Sequence, residues 1–154
     1  MYIKNNDLVI RSAAESDAKL LTKWWNDGNV MAHAGFPQGL GTTEEKTIAQ
    51  IKADSDESGR QLIIEYKNNP IGEMNYKNAG SLTAVIGIKI CESNLQEKGL
   101  GTVFLKMLIG YLFTELEYEK ITLDTNVNNA RARYVYSQKI GFREVRIVND
   151  AWKD

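Results

Sequence analysis

The stretch NLQEKGLGTVFLK, Asn94 to Lys106, sets Gly99 and Gly101 one residue apart at the front of a long apolar run. Glycine costs a helix about 1 kcal/mol relative to alanine, so two of them where a helix is due to start call for a use. A helix N-terminus presents unpaired N–H groups and the positive end of the macrodipole, which favour an anion, phosphate above all. Glycine lets the backbone approach such a group with no Cβ in the way. On this pattern alone a plain glycine-rich turn fits equally well. His33 is the only histidine, with no Cys or carboxylate at metal spacing, so neither a metal site nor a nucleophilic triad is expected.

Two phosphate loops do not fit. A dinucleotide fingerprint needs a further glycine where Phe104 stands, and a first glycine directly after the strand rather than beyond Cys91 to Lys98. A P-loop needs Gly-Lys-Ser/Thr, and GLGTVF lacks the lysine.

The elements that must position this loop can be read from periodicity. DLVIRSA reads as a strand, and AESDAKLLTKWWND as a helix capped by Ser16 with Leu20, Leu21, Trp24 and Trp25 as its apolar stripe. Adjacent tryptophans cannot share a face, so one is expected in the core and the other as a wall of an acceptor pocket. GNVMAHAGFPQGLG reads as loop, Thr43 as the cap of a more polar helix, and DSDESG as a solvated turn. RQLIIEYK and PIGEMNYK read as a strand pair around NNP, with Pro70 at a strand start. SLTAVIGIKI reads as a buried central strand, followed by the glycine loop and a helix from about Thr102 to Leu116. KITLDTNV is a strand, NNARARYVYSQKI a helix and GFREVRIV the closing strand. The order predicts one α/β (α+β) domain over residues 1–154, a mixed sheet with helices on its faces.

Totals narrow the function. The 154 residues carry a formal net charge of -1, with no basic excess for wholesale nucleic-acid binding. The single cysteine, Cys91, fits a reducing compartment. The N-terminus lacks a signal-peptide h-region, and the most apolar window, Val103 to Phe113, is too short to span a bilayer. A cytoplasmic protein without membrane or nucleic-acid partners is expected.

The run Gln96-x-x-Gly99-x-Gly101, after a buried strand and before a long helix, resembles the acetyl-coenzyme A pyrophosphate loop of the GCN5-related N-acetyltransferases, the GNAT family. Those enzymes place Arg or Gln, x, x, Gly, x, Gly or Ala at this point. NVNNARARYVYSQKIGF is similar to the family's later helix, Asn-x-x-Ala…Tyr…Gly-Phe. LVIRSAAESDAKLLTKWWND resembles the start of its ribosomal-protein and aminoglycoside acetyltransferase branch. The resemblance spans essentially the whole chain. One departure is local: Tyr136 stands five positions before Gly141, where many members have four.

The resemblance implies a mostly antiparallel sheet, splayed into a V between its fourth and fifth strands from Ile121 on. It implies that Ile88, Lys89 and Ile90 pair through their backbone with the pantetheine arm, by the logic of strand addition. Gln96, Lys98, Gly99, Leu100, Gly101 and Thr102 would hold the pyrophosphate, with Lys98 equally well read as solvated surface. Asn129 would reach the pantetheine arm while capping its helix. Tyr136 matches the tyrosine that protonates the departing thiolate, a core tyrosine being the other reading, and Tyr134 is the weaker candidate.

An amine attacks only when neutral, so a base is needed. Glu73 interrupts an otherwise apolar strand edge beside the cofactor strand, where partial burial raises a carboxylate's pKa. An outward glutamate on an alternating strand is the competing reading, and Glu92 or a water chain is the fallback. Cys91 reads as a buried structural thiol, because the family transfers acetyl directly.

The function expected is N-acetyl transfer from acetyl-coenzyme A to a primary amine in a ternary complex, without metal. A backbone N–H near Ile88 to Ile90 would polarise the thioester carbonyl. The rival is an inactive acyl-coenzyme A-binding or regulatory domain. Small-molecule amines, peptides and proteins all remain open as acceptors, as does a homodimer.

Overall fold

The structure is a computed structural model and describes residues 1–96, 98–123, 134, 140 and 141. Its elements run β1 Tyr2–Asn5, β2 Leu8–Ser12, α1 Ala18–Trp25, α2 Gly28–Met31, α3 Glu44–Ala53, β3 Gly59–Tyr66, β4 Asn69–Gly80, β5 Thr83–Ile90, α4 Leu100–Thr114 and β6 Lys120–Leu123. The six strands lie in chain order in one sheet. Every neighbouring pair is antiparallel except β5 and β6, which run parallel. Parallel neighbours need a crossover of a dozen or more residues, and α4 supplies it.

Both faces of the sheet are covered, and the sequence of β3 shows why they must be. Leu62, Ile63 and Ile64 are all buried in succession, yet successive side chains of a strand point to opposite faces. Leu62 and Ile64 join Ile10, Met74, Tyr76 and Ile86 against Phe104, Leu105, Leu108 and Leu112 of α4. Ile63 joins the opposite cluster, with Leu21, Trp24 and Trp25 of α1, Met31 of α2 and Ile51 of α3.

Several expectations are corrected. The strand β1 leaves no periodic signal because Tyr2–Asn5 is short and mostly exposed; it exists because β2 offers it a ladder. The segment after α1, which has no clear period and reads as loop, contains α2 and a 3₁₀ turn, Ala32–Ala34. Ser16 is exposed and lies inside the 3₁₀ turn Glu15–Asp17 that precedes α1. Both tryptophans are buried, so neither is an open pocket wall. The helix α4 begins at Leu100, two positions earlier than expected, which puts Gly101 inside it. Ile121, where the sheet was expected to splay, pairs with Ala84. The helix and strand expected after Leu123, with Asn129 and Tyr136, lie outside the described residues.

The start of α1 is fixed by Asp17. Its carboxylate accepts two hydrogen bonds from the Arg11 guanidinium, at 2.8 and 2.9 Å, and one from the Ala14 N–H at 2.7 Å. Arg11 Nε donates in turn to Glu65 on β3 at 2.9 Å. Burial alone would raise the Asp17 pKa, but the Arg11 and Ala14 bonds outweigh it and hold the carboxyl below its ordinary value. Asp17→Asn removes the charge while keeping the shape. It is expected to cost about 1.5–3 kcal/mol at neutral pH, as for a hydrogen bond to a charged partner. A carboxyl with a lowered folded pKa contributes fully above the ordinary aspartate value of about 3.9 and loses that contribution as pH falls through the lower folded value. Urea unfolding of both proteins at stepped pH should therefore show the difference closing only in strong acid.

Candidate active site

The glycine loop leaves the sheet at the C-terminal end of β5. Ladder pairing with β6 covers Thr83 to Ile86. Gly87 to Ile90 pair with β4 on one side and have no partner strand on the other among the described residues. Cys91 N–H donates to the Ile71 carbonyl at 2.7 Å, extending that hold on β4 by one residue. The chain then passes through the 3₁₀ turn Ser93–Leu95, and Gln96 Nε2 donates back to the Ile90 carbonyl at 2.8 Å. Gln96 thus ties the loop to the strand end, and Lys98 is exposed beside it.

The two glycines do different work. Gly99 occupies the N-cap position of α4 with φ 79°, left-handed backbone that favours glycine whatever the loop binds. Gly101 has ordinary helical backbone, and a Cβ built on it meets no atom of the described residues within 4 Å. No packing contact with the described residues calls for a glycine there. Its Cβ would project into open space at the start of a 15-residue helix whose cap accepts no side-chain hydrogen bond. Uncapped N–H groups, a missing Cβ and the nearby Lys98 make a set that fits a diphosphate.

Across the sheet, Glu73 on β4 stands opposite Ile63 of β3 and Lys89 of β5. Directly opposed residues share a face, so Glu73 lies on the α1 side. It is only 3% exposed, which removes the outward reading. Trp25 Nε1 donates to one carboxylate oxygen, and Gln61 Nε2 donates to the other at 3.2 Å. Burial pushes the Glu73 carboxyl above its ordinary range, against the pull of the Lys89 charge and of the Trp25 and Gln61 donors.

The neighbouring thiol of Cys91 is raised by burial and then by the Glu73 charge, so it stays protonated and is no nucleophile. Ile88 and Ile90 pack against the α4-side core. Glu92, the fallback base, is exposed beyond the end of β5. Tyr134 sits at a helical position, 51% exposed. Sequence reasoning missed Trp25 and Gln61 as partners of Glu73; the only signal was a polar residue, Gln61, two positions before Ile63 on the same face of β3.

The family model of the acetyltransferase (GNAT) domain matches residues 7–143. The aminoglycoside N(6')-acetyltransferase type 1 of Klebsiella pneumoniae is 28% identical over 153 residues, covering 90% of this chain and 75% of that protein. The crystal structure of a probable acetyltransferase superposes with TM-score 0.81 at 26% identity, over 98% of this chain and 88% of its own. The spermidine N-acetyltransferase of Vibrio cholerae, solved with CoA and spermine, shares the fold at TM-score 0.79 and 24% identity, over 92% and 84%. The family match over most of the chain carries one conclusion: the chain belongs to the GNAT acetyltransferases, which use acetyl-coenzyme A as co-substrate.

Proposed function

We propose that this enzyme acetylates a small-molecule primary amine, with the pyrophosphate of acetyl-coenzyme A at Gln96 to Thr102 and Glu73 as the general base. The observation that carries the reading is Gly101: a glycine in the first turn of α4 against which no described residue packs, at a helix start with no side-chain cap bond. The relative from Klebsiella pneumoniae is named for aminoglycosides and the Vibrio cholerae structure holds spermine, which favours a small amine over a peptide or protein.

Acetyl-coenzyme A supplies an acetyl group already activated as a thioester. The chain's part is placement. The edge of β5 at Ile88 to Ile90, unpaired among the described residues, aligns the pantetheine arm, and by the resemblance Asn129 reaches it as well. A backbone N–H of the same stretch polarises the carbonyl. Glu73 takes the amine's proton, directly or through one water, so that the neutral amine attacks. Tyr136, by the resemblance, donates a proton to the leaving sulfur. Holding two substrates together contributes most of the rate.

Gly101→Val separates fold from function. Valine enters open space and suits a helix no worse than glycine, so the melting temperature should hold or rise. Calorimetric affinity for acetyl-coenzyme A should fall by at least tenfold. Wild-type affinity in this variant would remove the pyrophosphate from this loop. The base is tested by the pH dependence of thiol release, with spermidine and kanamycin as acceptor probes. A base with a raised pKa is lost as pH falls through that value, so kcat/KM should drop on the acid side in the wild type. Glu73→Gln should lower the plateau by about 10²- to 10⁴-fold and abolish this acid limb. An unchanged limb would hand the role to Glu92 or water.

A further inference from the structure

We propose that Trp25 and Gln61 are positioning residues that clamp the Glu73 carboxylate, each holding one oxygen, and so keep it ionised and aimed while it is buried. This inference rests on Glu73 being the base. The two donors come from independent elements, the last residue of α1 and the interior of β3. Indole has a single polar hydrogen, and Trp25 directs it to Glu73. Phenylalanine would fill that part of the α1 core, so the residue present adds a donor rather than bulk.

Gln61 is itself anchored. Its Nε2 also donates to the Met74 carbonyl at 3.0 Å, which orients the amide before it reaches Glu73. Lys89, opposite on β5, is the one charged group that acts on the carboxylate among the described residues. Cys91 beside it is neutral. From α3, the buried side chains are Thr47 and Ile51, which carry no charge. The Lys89 charge is the largest influence opposing the desolvation of the ionised form, and the two N–H donors, one on each oxygen, add to it.

Removing a donor from an ionised carboxylate favours its protonated form, so the Glu73 midpoint should move up. The experiment is a carbon-13 NMR titration of the glutamate carboxyl carbons in the intact protein. The Glu73 resonance is identified by its loss in Glu73→Gln, so no acceptor amine is needed. Trp25→Phe and Gln61→Leu should each raise the Glu73 midpoint by about one pH unit, a tenfold change in protonation ratio. Each should move the acid limb of kcat/KM with kanamycin or spermidine by the same amount.

A packing role alone would lower the melting temperature of Trp25→Phe and leave the Glu73 midpoint where it was. Midpoints unmoved in both variants overturn the clamp. If Trp25→Phe does not fold, Gln61→Leu and the wild-type indole N–H resonance decide. That resonance must titrate with Glu73 and fall silent in Glu73→Gln, and a resonance that ignores the titration overturns the clamp. An acid limb that survives Glu73→Gln, with the midpoints shifted as expected, overturns the base role instead, and with it the clamp's part in catalysis.

Discussion

The geometry of the site depends on a proline in a central strand. Pro70 has no N–H for the ladder, and within a sheet proline is tolerated essentially at edges and at bulges. β4 is not an edge, and the register shows the bulge: Tyr66 pairs with Asn69 and Glu65 with Pro70, but Ile64 pairs with Gly72. Ile71 is the extra residue. Without it, Glu73 would oppose Leu62, and opposed residues share a face, so its carboxylate would enter the α4-side core. With it, Glu73 opposes Ile63 and lies with Trp25 and Gln61. The bulge also lets Ile71 and Met74, three positions apart, bury in the same cluster. The carbonyl of Ile71 then receives the Cys91 N–H where β5 ends, so one irregularity sets the face on which the Glu73 carboxylate lies and helps fix the start of the glycine loop.

The α4 side supplies the stability that lets the loop keep its glycines. Phe104, Leu105, Leu108 and Leu112 are fully or nearly fully buried, each contributing about 1.5–3 kcal/mol. An interior glycine subtracts about 1 kcal/mol. The helix therefore tolerates Gly101 on packing alone, and the first turn is free to be shaped by its ligand. On the other face the apolar cluster is smaller and admits polar groups only where they are satisfied. Thr22 and Thr47 bond each other at 2.8 Å, and Glu73 takes its two donors. Among the described residues no buried side-chain polar atom lacks a partner.

Much of this was legible in the sequence where the cause was local. The strand pair joined near NNP was legible from two strand patterns, although the turn itself falls on Lys67 and Asn68, with φ of 50° and 68°, and Asn69 already belongs to β4. The Thr43 cap, bonded to the Lys46 N–H, follows from side-chain chemistry at a helix start. The glycine loop stood out because its cost to a helix is local too. What stayed hidden was set by distant partners. Asp17 displaced Ser16 at the start of α1 because Arg11 reaches it from β2. Trp25 and Glu73 are 48 positions apart, and no periodicity in either segment encodes that meeting. Pro70 was read as a strand start, and the face reversal it brings needed the full register.

The position of Glu73 has a chemical logic that an exposed carboxylate would lack. An exposed glutamate near pKa 4.3 is ionised at neutral pH but a weak acceptor for a proton from an amine. Raising the pKa towards the working pH strengthens the base, until protonation at rest removes it. Burial supplies the upward push; Lys89, Trp25 and Gln61 oppose it. Neither influence alone gives a useful base. Burial without donors would leave a neutral acid, and donors without burial would leave an ordinary surface glutamate. The balance requires a helix, two strands and a bulge to meet at one carboxylate, which is why the apolar faces, rather than the polar residues themselves, determine whether this chain can do its chemistry.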